Sequence, residues 1–490
     1  MEGYVKKEKY DALEQAYQEL KHELAQLKRL FLASKTERYI PQTDVSQGNL
    51  FEEGNKSESE PIATEDIHYT RKKPAKKHNG RNTIPDHLPV EEIIIEPTEE
   101  VSGLIKIGEE ITETLVYTPA SLVKRRYIRY KYAKADGAGI VIGALPTRPI
   151  DKCIAEASLL AYILVCKFIS HLPFYRQIQM FQREFGWQVS SSTINDWMIG
   201  CCELIKPLYN RLKQKVLESD YIQADESPIK VQDKEKSGST HQGYQWVYHA
   251  PEEGLVLFNY RKGRGQNGPK EMLSAYQGYI QCDGYNVYDK VAKLNPGITL
   301  IGCLAHARRK FIEARNSDAS RSDYALSLFQ QIYWEQRQIQ DQKELSHDQI
   351  QKQRLERIKP LLEQIKQWIE NESIKVLPKS PIGKAMNYYQ SQWPKLENIL
   401  LDPKINLDNN LIENKIRPLA LGRKNFLFAG SHPGAERIAV LYSLLGTCQI
   451  HEINPRVWLQ DVLEKLPVHP IKAIDELLPM QWKLNYQGDM

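Results

Sequence analysis

The 490-residue chain lacks the features that mark a protein for export or for a membrane. It has no run of 18 or more apolar residues, which excludes a predicted membrane-spanning helix and a membrane partner. The N-terminus, MEGYVKKEKYDALEQ, has no apolar signal-peptide core, so we expect no secretion. No cysteine precedes Cys153, and the seven cysteines of the chain form no disulfide framework. This cysteine usage suits a reducing cytoplasm.

A strong charge of one sign is also absent. The formal net charge is only +4, which does not by itself indicate a nucleic-acid partner. Charged residues make up 26% and hydrophobic residues 41% of the chain, as in ordinary globular proteins. The length favours about three domains. We therefore expect a soluble, multidomain, intracellular protein.

Three acidic residues stand in distinctive surroundings. Asp225 lies in YIQADESPIKV and Asp283 in GYIQCDGYNVYD, at or just past runs typical of β-strands, whereas Glu413 lies on a predicted helix. Two carboxylates on adjacent strands and a third on a packed helix can hold two divalent ions roughly 3.5–4 Å apart for phosphodiester chemistry. Magnesium prefers such oxygen ligands, and a cation relieves the repulsion between the acids. Because the chain has 62 acidic residues, the alternative of three ordinary acids stays open on this ground alone.

Longer motifs surround these acids. They are HLPFYRQIQ (171–179), SSTINDW (191–197), QADESPIKV (223–231), GYQWVYH (243–249), YRKGRGQNGP (260–269), CDGYNVYD (282–289), GCLAHARRKF (302–311), LPKSPIGKA (377–385), LDNNLIEN (407–414), IRPLALGRKNFLFAGSHPGAERIAVLYSLLGTC (416–448) and NPRVWLQDVLEKLPVHP (454–470). Together they resemble the transposases of insertion-sequence-66 elements, which are bacterial transposable elements, over nearly the whole chain. The resemblance implies that Asp225, Asp283 and Glu413 form a DDE catalytic triad that also ligates the metal.

The resemblance carries further expectations. It implies an enzyme that cleaves the ends of an insertion element and joins the 3′-hydroxyls to target DNA, using two Mg²⁺ or Mn²⁺ ions. The implied partners are the terminal inverted repeats, the target DNA and, in some elements, accessory proteins; the implied location is the bacterial cytoplasm, at the nucleoid. Two alternatives stay open: a non-catalytic DNA-binding protein or inactive relic, and an RNase H-like nuclease that cuts without strand transfer.

The fold class that we predict is α+β and multidomain, with an RNase H-like core in which a mixed sheet is flanked by helices. Strands are predicted at YIQADESPIKV, YQWVYHA, GLVLFNYRKG and GYIQCDG, and ITLIGCLAHARRKFIEA reads as a strand that runs into a helix. The predicted domains are a coiled coil (1–35), a flexible basic linker (36–90), a small β module (91–148), a helix-turn-helix-like region (150–218), the first part of the core (219–316), a helical insertion (317–384), the second part of the core with the Glu413 helix (385–448) and a helical tail (449–490).

The N-terminal segment and the insertion show helical periodicity. Leu13, Leu20 and Leu27 recur every seven residues, with Tyr17, Leu24 and Phe31 in the complementary position. This pattern favours a short coiled coil, and hence a homo-oligomer, over a lone amphipathic helix. In the insertion, two apolar stripes are predicted to be buried: Ala325, Leu328, Phe329 and Ile332; and Ile358, Leu361, Leu362, Ile365, Trp368 and Ile369.

Two basic stretches precede the core. RKKPAKKHNGR (71–81) contains Lys72, Lys73, Lys76 and Lys77, and SLVKRRYIRYKYAK (121–134) contains Arg125 and Arg126 among tyrosines. Basic side chains neutralise DNA phosphates, and tyrosines stack on exposed bases, so both stretches are candidate DNA contacts. The alternatives are a solubilising linker for the first and a cationic strand face for the second.

Residues 91–148 depart from the family pattern. Related proteins carry a small cysteine-rich zinc module about here, whereas this segment has no cysteine or histidine to ligate zinc. Its alternating pattern still predicts a small β module, so we expect the module without zinc.

Residues 171–215 have the pattern of two consecutive helices. Pro173 is predicted to open the first helix and Gly186 to end it. Ser191, Ser192 and Thr193 are the predicted N-caps of the second helix. Such a pair can place a helix in the major groove, although plain packing is an equally good interpretation.

Several residues near the three acids are assigned secondary roles. His306 is a candidate for orienting a phosphate or water, with a core histidine as the alternative. Arg417 lies one turn from Glu413, and Asp408 or Asn409 can cap that helix. Glu226 is expected on the opposite strand face from Asp225. Arginine and lysine residues that can bind the DNA backbone are Arg308, Arg309, Arg423 and Lys424.

Overall fold

The computed structural model describes residues 121–125, 127–128, 131–133, 140–142, 146–233, 239–342 and 344–488. Its centre is a five-stranded mixed sheet, and a separate short hairpin precedes it. The strands are β1 (Lys131–Ala133), β2 (Ile140–Ile142), β3 (Tyr221–Gln232), β4 (Thr240–Ala250), β5 (Leu255–Arg261), β6 (Gly278–Gln281) and β7 (Ile298–Ile301). The five strands of the central sheet lie where the β-branched and aromatic runs predict them.

The central sheet has the order β5-β4-β3-β6-β7. Strands β3, β4 and β5 form an antiparallel meander, with Asp225 opposite Val247. Strands β6 and β7 run parallel to β3, and Gln223 pairs with Gln281 in that parallel register. The described part of the chain is thus a mixed α+β fold in which β3 is the central strand.

Helices surround the sheet and form a bundle beside it. They are α1 (Ala157–Phe168), α2 (Phe174–Phe185), α3 (Ser191–Glu218), α4 (Asn267–Met272), α5 (Asn286–Leu294), α6 (Leu304–Ala314), α7 (Ala319–Gln340), α8 (His347–Arg357), α9 (Lys359–Ser373), α10 (Pro381–Glu397), α11 (Asn410–Phe426), α12 (His432–Ile450), α13 (Pro455–Lys465) and α14 (Pro479–Gly488). Two 3₁₀ helices span Asn398–Leu400 and Ile471–Leu477.

The helix ends around α2 and α3 follow local capping chemistry. Helix α2 begins after Pro173 and ends at Gly186, whose φ of 63° is the left-handed conformation that glycine adopts easily. The predicted N-cap of α3 is one residue off. Ser190 caps the helix by accepting a hydrogen bond from the Thr193 N–H at 3.0 Å. Ser191 therefore already lies inside the first turn.

The outer strand β5 is covered by two helices. The Phe258 N–H donates to the Ser443 hydroxyl at 2.7 Å, and the Val256 N–H donates to the Thr447 hydroxyl at 3.4 Å. Ser443 and Thr447 lie one turn apart on α12, and Tyr209 of α3 donates its hydroxyl to the Phe258 carbonyl at 2.8 Å. Backbone groups of an edge strand are thereby satisfied by side chains instead of by another strand.

Helices α7 to α10 form the bundle that separates Asp283 from Glu413 along the chain. Ala325, Leu328, Phe329 and Ile332 are buried as predicted, as are Ile358, Leu362, Ile365 and Ile369. Leu361 and Trp368 are half-buried. Helix α10 runs through residue 384, where the sequence suggested that the insertion ends, and it packs against α6 and α9.

Some predictions fall outside the described residues. These are the coiled coil (1–35), the basic linker with Lys72, Lys73, Lys76 and Lys77, the residue Arg126 and most of the β module. Of that module, the antiparallel pairing of β1 with β2 is described. None of the helices in the described ranges is both long and apolar enough to span a bilayer.

Candidate active site

The parallel register of β3 and β6 brings the first two acids to one edge of the sheet. Gln223 pairs with Gln281, and Asp225 and Asp283 each follow two residues later. Side chains two residues apart on a strand share a face, so Asp225 lies on the same face as Gln223. Because β6 ends at Gln281, Asp283 stands just beyond the carboxyl end of the strand. This is the edge at which open α/β sheets bind ligands.

Both acids are oriented by the backbone that follows them. One Asp225 carboxylate oxygen accepts a hydrogen bond from the Glu226 N–H at 2.7 Å. One Asp283 carboxylate oxygen accepts from the Tyr285 N–H at 2.9 Å. Such bonds restrict the side-chain rotamer, so the two carboxylates are held in place before any ligand binds.

Helix α11, which carries Glu413, lies along β3 and is fastened to it at both ends. At its start, Gln223 donates to the Asp408 carbonyl at 3.1 Å and accepts from the Ile412 N–H at 3.1 Å. Just beyond its end, the Ala429 N–H donates to the Lys230 carbonyl at 2.8 Å. The strand from residue 223 to 230 and the helix each span about 25 Å, so their lengths match.

A buried layer of polar side chains supports the start of α11. Tyr221, Gln223 and Gln281 are fully buried, and the Tyr221 hydroxyl and the Gln223 amide both donate to the Gln281 amide oxygen, at 2.6 and 2.9 Å. Gln281 in turn donates to the Asn406 carbonyl at 2.7 Å. Buried polar groups that are satisfied in this way fix a unique arrangement. The layer therefore positions the segment that leads to Glu413.

Glu413 lies in the first turn of α11 and faces helix α6. One of its carboxylate oxygens is 3.8 Å from His306 Nε2, and the other is 3.7 Å from the Arg309 guanidinium. His306 and Arg309 are three residues apart and share one face of α6. Arg417, which lies one turn further along α11, is exposed.

The helical bundle also contacts the segment before Glu413. The Tyr333 hydroxyl donates to an Asp408 carboxylate oxygen at 2.7 Å. Of the two predicted caps, Asp408 accepts from the Asn410 N–H at 3.1 Å, whereas Asn409, at the N-cap position, forms no side-chain capping bond. Arg354, only 3% exposed, donates to the carbonyls of Asp402 and Ile405 at 3.3 and 2.9 Å. The bundle thus holds the chain that leads into α11.

The electrostatics of Asp225 favour a cation nearby. Burial, followed by the neighbouring Glu226, Asp283 and Glu413 carboxylates, raises the pKa of Asp225 to about 8. A carboxylate with so high a pKa is costly to keep charged near neutral pH unless a positive charge offsets the repulsion. The oxygen-only donors suit magnesium. Two buried groups near Glu413, His306 Nδ1 and the Asn409 amide, form no hydrogen bond with the protein.

Within the described ranges, no three histidine, cysteine, aspartate or glutamate side chains are close enough to share one ion as they stand. Asp225 and Asp283 are adjacent, whereas the Glu413 carboxylate is turned towards His306 and Arg309. The structure therefore brings the three predicted residues to one site. The Glu413 carboxylate, however, does not point towards an ion that Asp225 and Asp283 could share.

Arg264 borders the same site. The buried Glu226 accepts from Arg264 Nε at 2.7 Å, and the guanidinium carbon lies 4.2 Å from the centre of the Tyr285 ring. The Tyr285 hydroxyl donates to the Arg264 carbonyl at 2.8 Å, and its N–H orients Asp283. The Arg264 side chain is 48% exposed. A guanidinium is thus fixed beside the acids while part of it faces solvent.

Comparison with known proteins places the chain in a family. A family model described as "Transposase IS66 family" matches residues 152–437, which is more than half of the chain. The chain belongs to the IS66 transposase family. A second model, "IS66 C-terminal element", matches residues 443–480, and a third, "Transposase C of IS166 homeodomain", matches residues 19–93.

Similar curated proteins come from Sinorhizobium fredii. The uncharacterized protein y4jD is 30% identical over 495 residues, covering 96% of this chain and 96% of its own. The uncharacterized protein y4hP is 30% identical over 445 residues, covering 85% of this chain and 78% of its own. The names of these relatives assign no activity, so they add no function.

The other predicted DNA contacts of this IS66 family member take varied positions. Arg125 forms an ion pair with Glu156 at 2.7 Å, and Lys424 is exposed near the end of α11. Arg308 is half-buried on α6 beside Arg309. Arg423 donates to the Pro228 carbonyl on β3, and burial lowers its pKa. Arg423 therefore already helps to fasten α11 to the sheet.

Sequence reasoning missed several residues of the IS66 site. Gln223 and Gln281 belong to strands, where a polar residue is normally read as facing solvent. Arg354 and Tyr333 lie in the insertion, where the apolar stripes gave the only signal. Arg264 lies in YRKGRGQNGP, one of the motifs that carry the family resemblance, but the sequence alone indicated no role for it.

Proposed function

We propose that this protein is a DDE transposase that cleaves the ends of an insertion element and joins the 3′-hydroxyls to target DNA. Asp225, Asp283 and Glu413 are its catalytic acids. The observation that carries the proposal is the β3–β6 register, which sets Asp225 beside Asp283 while Gln223 fastens the Glu413 helix to the same strand. Membership of the IS66 transposase family supports it independently.

The sheet supports an RNase H-like assignment for the core. An antiparallel meander of three strands followed by two strands parallel to its first member is the arrangement of β3 to β7. The acids lie on the central strand, after its parallel neighbour and on a helix that lies along the central strand. This is the layout that the sequence predicts for a DDE core.

The three acids are the residues that would hold Mg²⁺ or Mn²⁺. Two such ions supply activation of the attacking hydroxyl and stabilisation of the leaving oxygen in phosphodiester chemistry. Asp225 and Asp283 already face one edge, whereas Glu413 must turn its carboxylate away from His306 and Arg309 to join them. Before substrate binds, His306 and Arg309 hold the Glu413 carboxylate away from the other two acids.

Arg264 contributes a phosphate contact in this proposal. Its guanidinium is fixed by Glu226 and Tyr285 and is partly exposed beside the acids. Arginine binds phosphate oxygens through paired N–H groups, which lysine cannot reproduce. We expect Arg264→Lys to raise the KM for element-end DNA by about 10-fold with a smaller change in kcat, because the lost contact is one made to bound DNA.

DNA binding and assembly complete the proposal. The basic stretches at 71–81 and 121–134 would bind the DNA backbone, and the heptads of residues 1–35 would join two copies so that both element ends are held together. Accessory proteins encoded by the element would be further partners.

The test is cleavage and strand joining on DNA that carries the element's own ends, with Mg²⁺. The variants are Asp225→Asn, Asp283→Asn and Glu413→Gln, with Glu313→Gln as the matched control on α6. We expect each triad variant to lose at least about 1000-fold in rate with end binding retained, because each removes a metal-ligand charge. Wild-type protein that binds the ends tightly but neither cuts nor joins would favour the non-catalytic DNA-binding protein. Full activity in Glu413→Gln would show that the third acid is misassigned.

A further inference from the structure

The turn after α11 presents two large apolar side chains to solvent. Leu427 is 63% exposed and Phe428 is 42% exposed. They follow directly on Phe426, the last residue of the helix. Adjacent exposed apolar side chains are candidates for a contact surface.

The backbone of this turn is strained. Leu427 has φ 62° and ψ −48°, and the Phe428 N–H donates to the Phe426 carbonyl at 2.7 Å. This combination is a γ-turn of the rare, high-energy hand, centred on a residue with a branched side chain. Residues held in such conformations cluster at functional sites, where the surrounding structure over-determines them.

The turn is held firmly on both sides. On the helix side, the Leu427 N–H donates to the Arg423 carbonyl at 3.0 Å. On the sheet side, Ala429 is buried; its N–H donates to the Lys230 carbonyl and its carbonyl accepts from the Gln232 N–H, both at 2.8 Å. The two exposed side chains therefore project from a rigid support, which is what an element that pushes into a partner requires.

Positive charge near the turn favours DNA as the partner. Lys424, one turn before Leu427, is exposed, and so is Lys230, which lies beside Ala429 on β3. The helix from Glu413 to Leu427 spans about 21 Å. On a duplex with a rise of 3.4 Å per base pair, this distance corresponds to about six base pairs.

We propose that Leu427 and Phe428 form a wedge that inserts between two stacked base pairs of the element-end DNA, about six base pairs from the phosphodiester at the acids. Apolar side chains inserted between base steps unstack and kink a duplex. The wedge rests on the proposed function, because it takes the same DNA as its partner. It assigns to this turn a distortion of the element end that precedes cleavage.

The experiment uses duplexes of the terminal inverted repeat with 2-aminopurine at successive positions, bound by full-length protein in EDTA so that no cleavage is needed. The variants are Leu427→Gly, which suits the positive φ, and Phe428→Ala. The control is Ile374→Ala, which removes an 85%-exposed apolar side chain from the bundle. We expect fluorescence to rise about 2- to 5-fold at one step for wild type and control, and to stay near the free-duplex level for both wedge variants.

A second arm separates unstacking from folding. A mismatch at the responsive step should restore most of the cleavage rate that the wedge variants lose, because the base pairs are already disrupted. Wild-type protein that binds the repeat with no fluorescence rise at any of the positions tested would overturn the wedge while leaving the proposed function standing. Protein that fails to bind the repeat would overturn both the wedge and the proposed function. A smaller oligomer for Leu427→Gly in the absence of DNA would assign the patch to a second copy of the chain and overturn the wedge.

Discussion

The sheet acids and the helix acid are held in different ways. Asp225 and Asp283 take their positions from backbone pairing, two residues beyond the Gln223–Gln281 register. Glu413 takes its position from side-chain hydrogen bonds to the segment before it, which come from β3, β6 and the helical bundle. The first arrangement is as rigid as the sheet, whereas the second depends on several separate bonds.

The difference teaches where this site is adjustable. A strand register cannot shift by one residue without turning every side chain to the other face, so the aspartate pair is all-or-none. The Glu413 helix can move when one of its bonds is lost. We therefore expect substitutions that leave all three acids intact to act mainly through Glu413.

Among substitutions that leave the three acids intact, Gln223→Leu should reduce the cleavage rate most. It removes both side-chain bonds to the start of α11, and each unpaired buried backbone group costs about 1–3 kcal/mol. We expect cleavage to fall about 100-fold, because Glu413 loses its register against β3. The matched control is Gln245→Leu on β4, another fully buried glutamine, which donates to the Ala435 carbonyl. Equal activity losses in the two variants would show that general destabilisation is the cause.

Arg354→Met should have the next largest effect. The substitution keeps an unbranched side chain but leaves the Asp402 and Ile405 carbonyls without their guanidinium donor. We expect cleavage to fall about 30-fold, with DNA affinity unchanged, since the lost bonds each contribute about 1 kcal/mol or more. Arg321→Met, which breaks the half-exposed pairs with Asp318 and Glu372, serves as the control in the same bundle. A weaker effect for Arg354 than for Arg321 would contradict a positioning role.

Tyr333→Phe should have a smaller effect. It removes one hydroxyl bond to the Asp408 carboxylate, a type of bond that contributes about 1.5–3 kcal/mol. Because the remaining bonds still hold the segment, we expect about a 5-fold loss of cleavage rate. Tyr324→Phe, which deletes an exposed hydroxyl on the same helix, should leave the rate unchanged. Cleavage rates measured side by side for the two variants check this prediction. Equal rates for Tyr333→Phe and Tyr324→Phe would contradict a positioning role for the Tyr333 hydroxyl.

Asp225→Asn tests the sheet acids through thermal stability instead of cleavage. The expected change, a few degrees in Tm, is the smallest effect of the four. The pKa of Asp225 is about 8 in the folded protein, above its ordinary value of 3.8, so the folded state binds this proton more tightly than the unfolded chain does. The resulting stabilisation is complete below about pH 4 and is lost as the pH rises through about 8. In EDTA, we expect the Tm of the wild type to fall by about 2–5 °C relative to Asp225→Asn between pH 5 and pH 9.

Mg²⁺ should restore the wild-type Tm at pH 8 and leave that of Asp225→Asn nearly unchanged, since the ion offsets the charge that the variant lacks. Glu313→Gln is the control. Tm curves that run parallel for wild type and Asp225→Asn across this pH range would show that the carboxylate is not perturbed.

Much of the sheet side could be predicted from the sequence. Alternating β-branched and aromatic residues identified the five strands, and the same runs placed Asp225 within a strand and Asp283 just past the end of another. Local chemistry also located the ends of α2 at Pro173 and Gly186. The N-cap of α3 was misplaced because a run of four hydroxyl residues, 190–193, offers several equivalent caps.

The helix side could be predicted only in part. A helix at Glu413 follows from local sequence, but the hydrogen bonds that hold its start do not. Gln223 and Gln281 become buried only when α11 packs over β3. Arg354 shows the same limit. A charged residue on a helix is normally read as exposed, and its burial depends on the segment 402–405 packing against the bundle. The predicted coiled coil and the first basic stretch lie outside the described residues and stay predictions.

The 129 residues between Asp283 and Glu413 have a consequence for synthesis on the ribosome. Strands β3 to β7 can form as soon as they emerge, since the contacts among them are local. The third acid is synthesised only after the whole bundle, and closing so long a loop is slow compared with pairing neighbouring strands. If the three acids form the proposed site, a nascent chain that ends before residue 413 would carry only two of them and would lack a complete site.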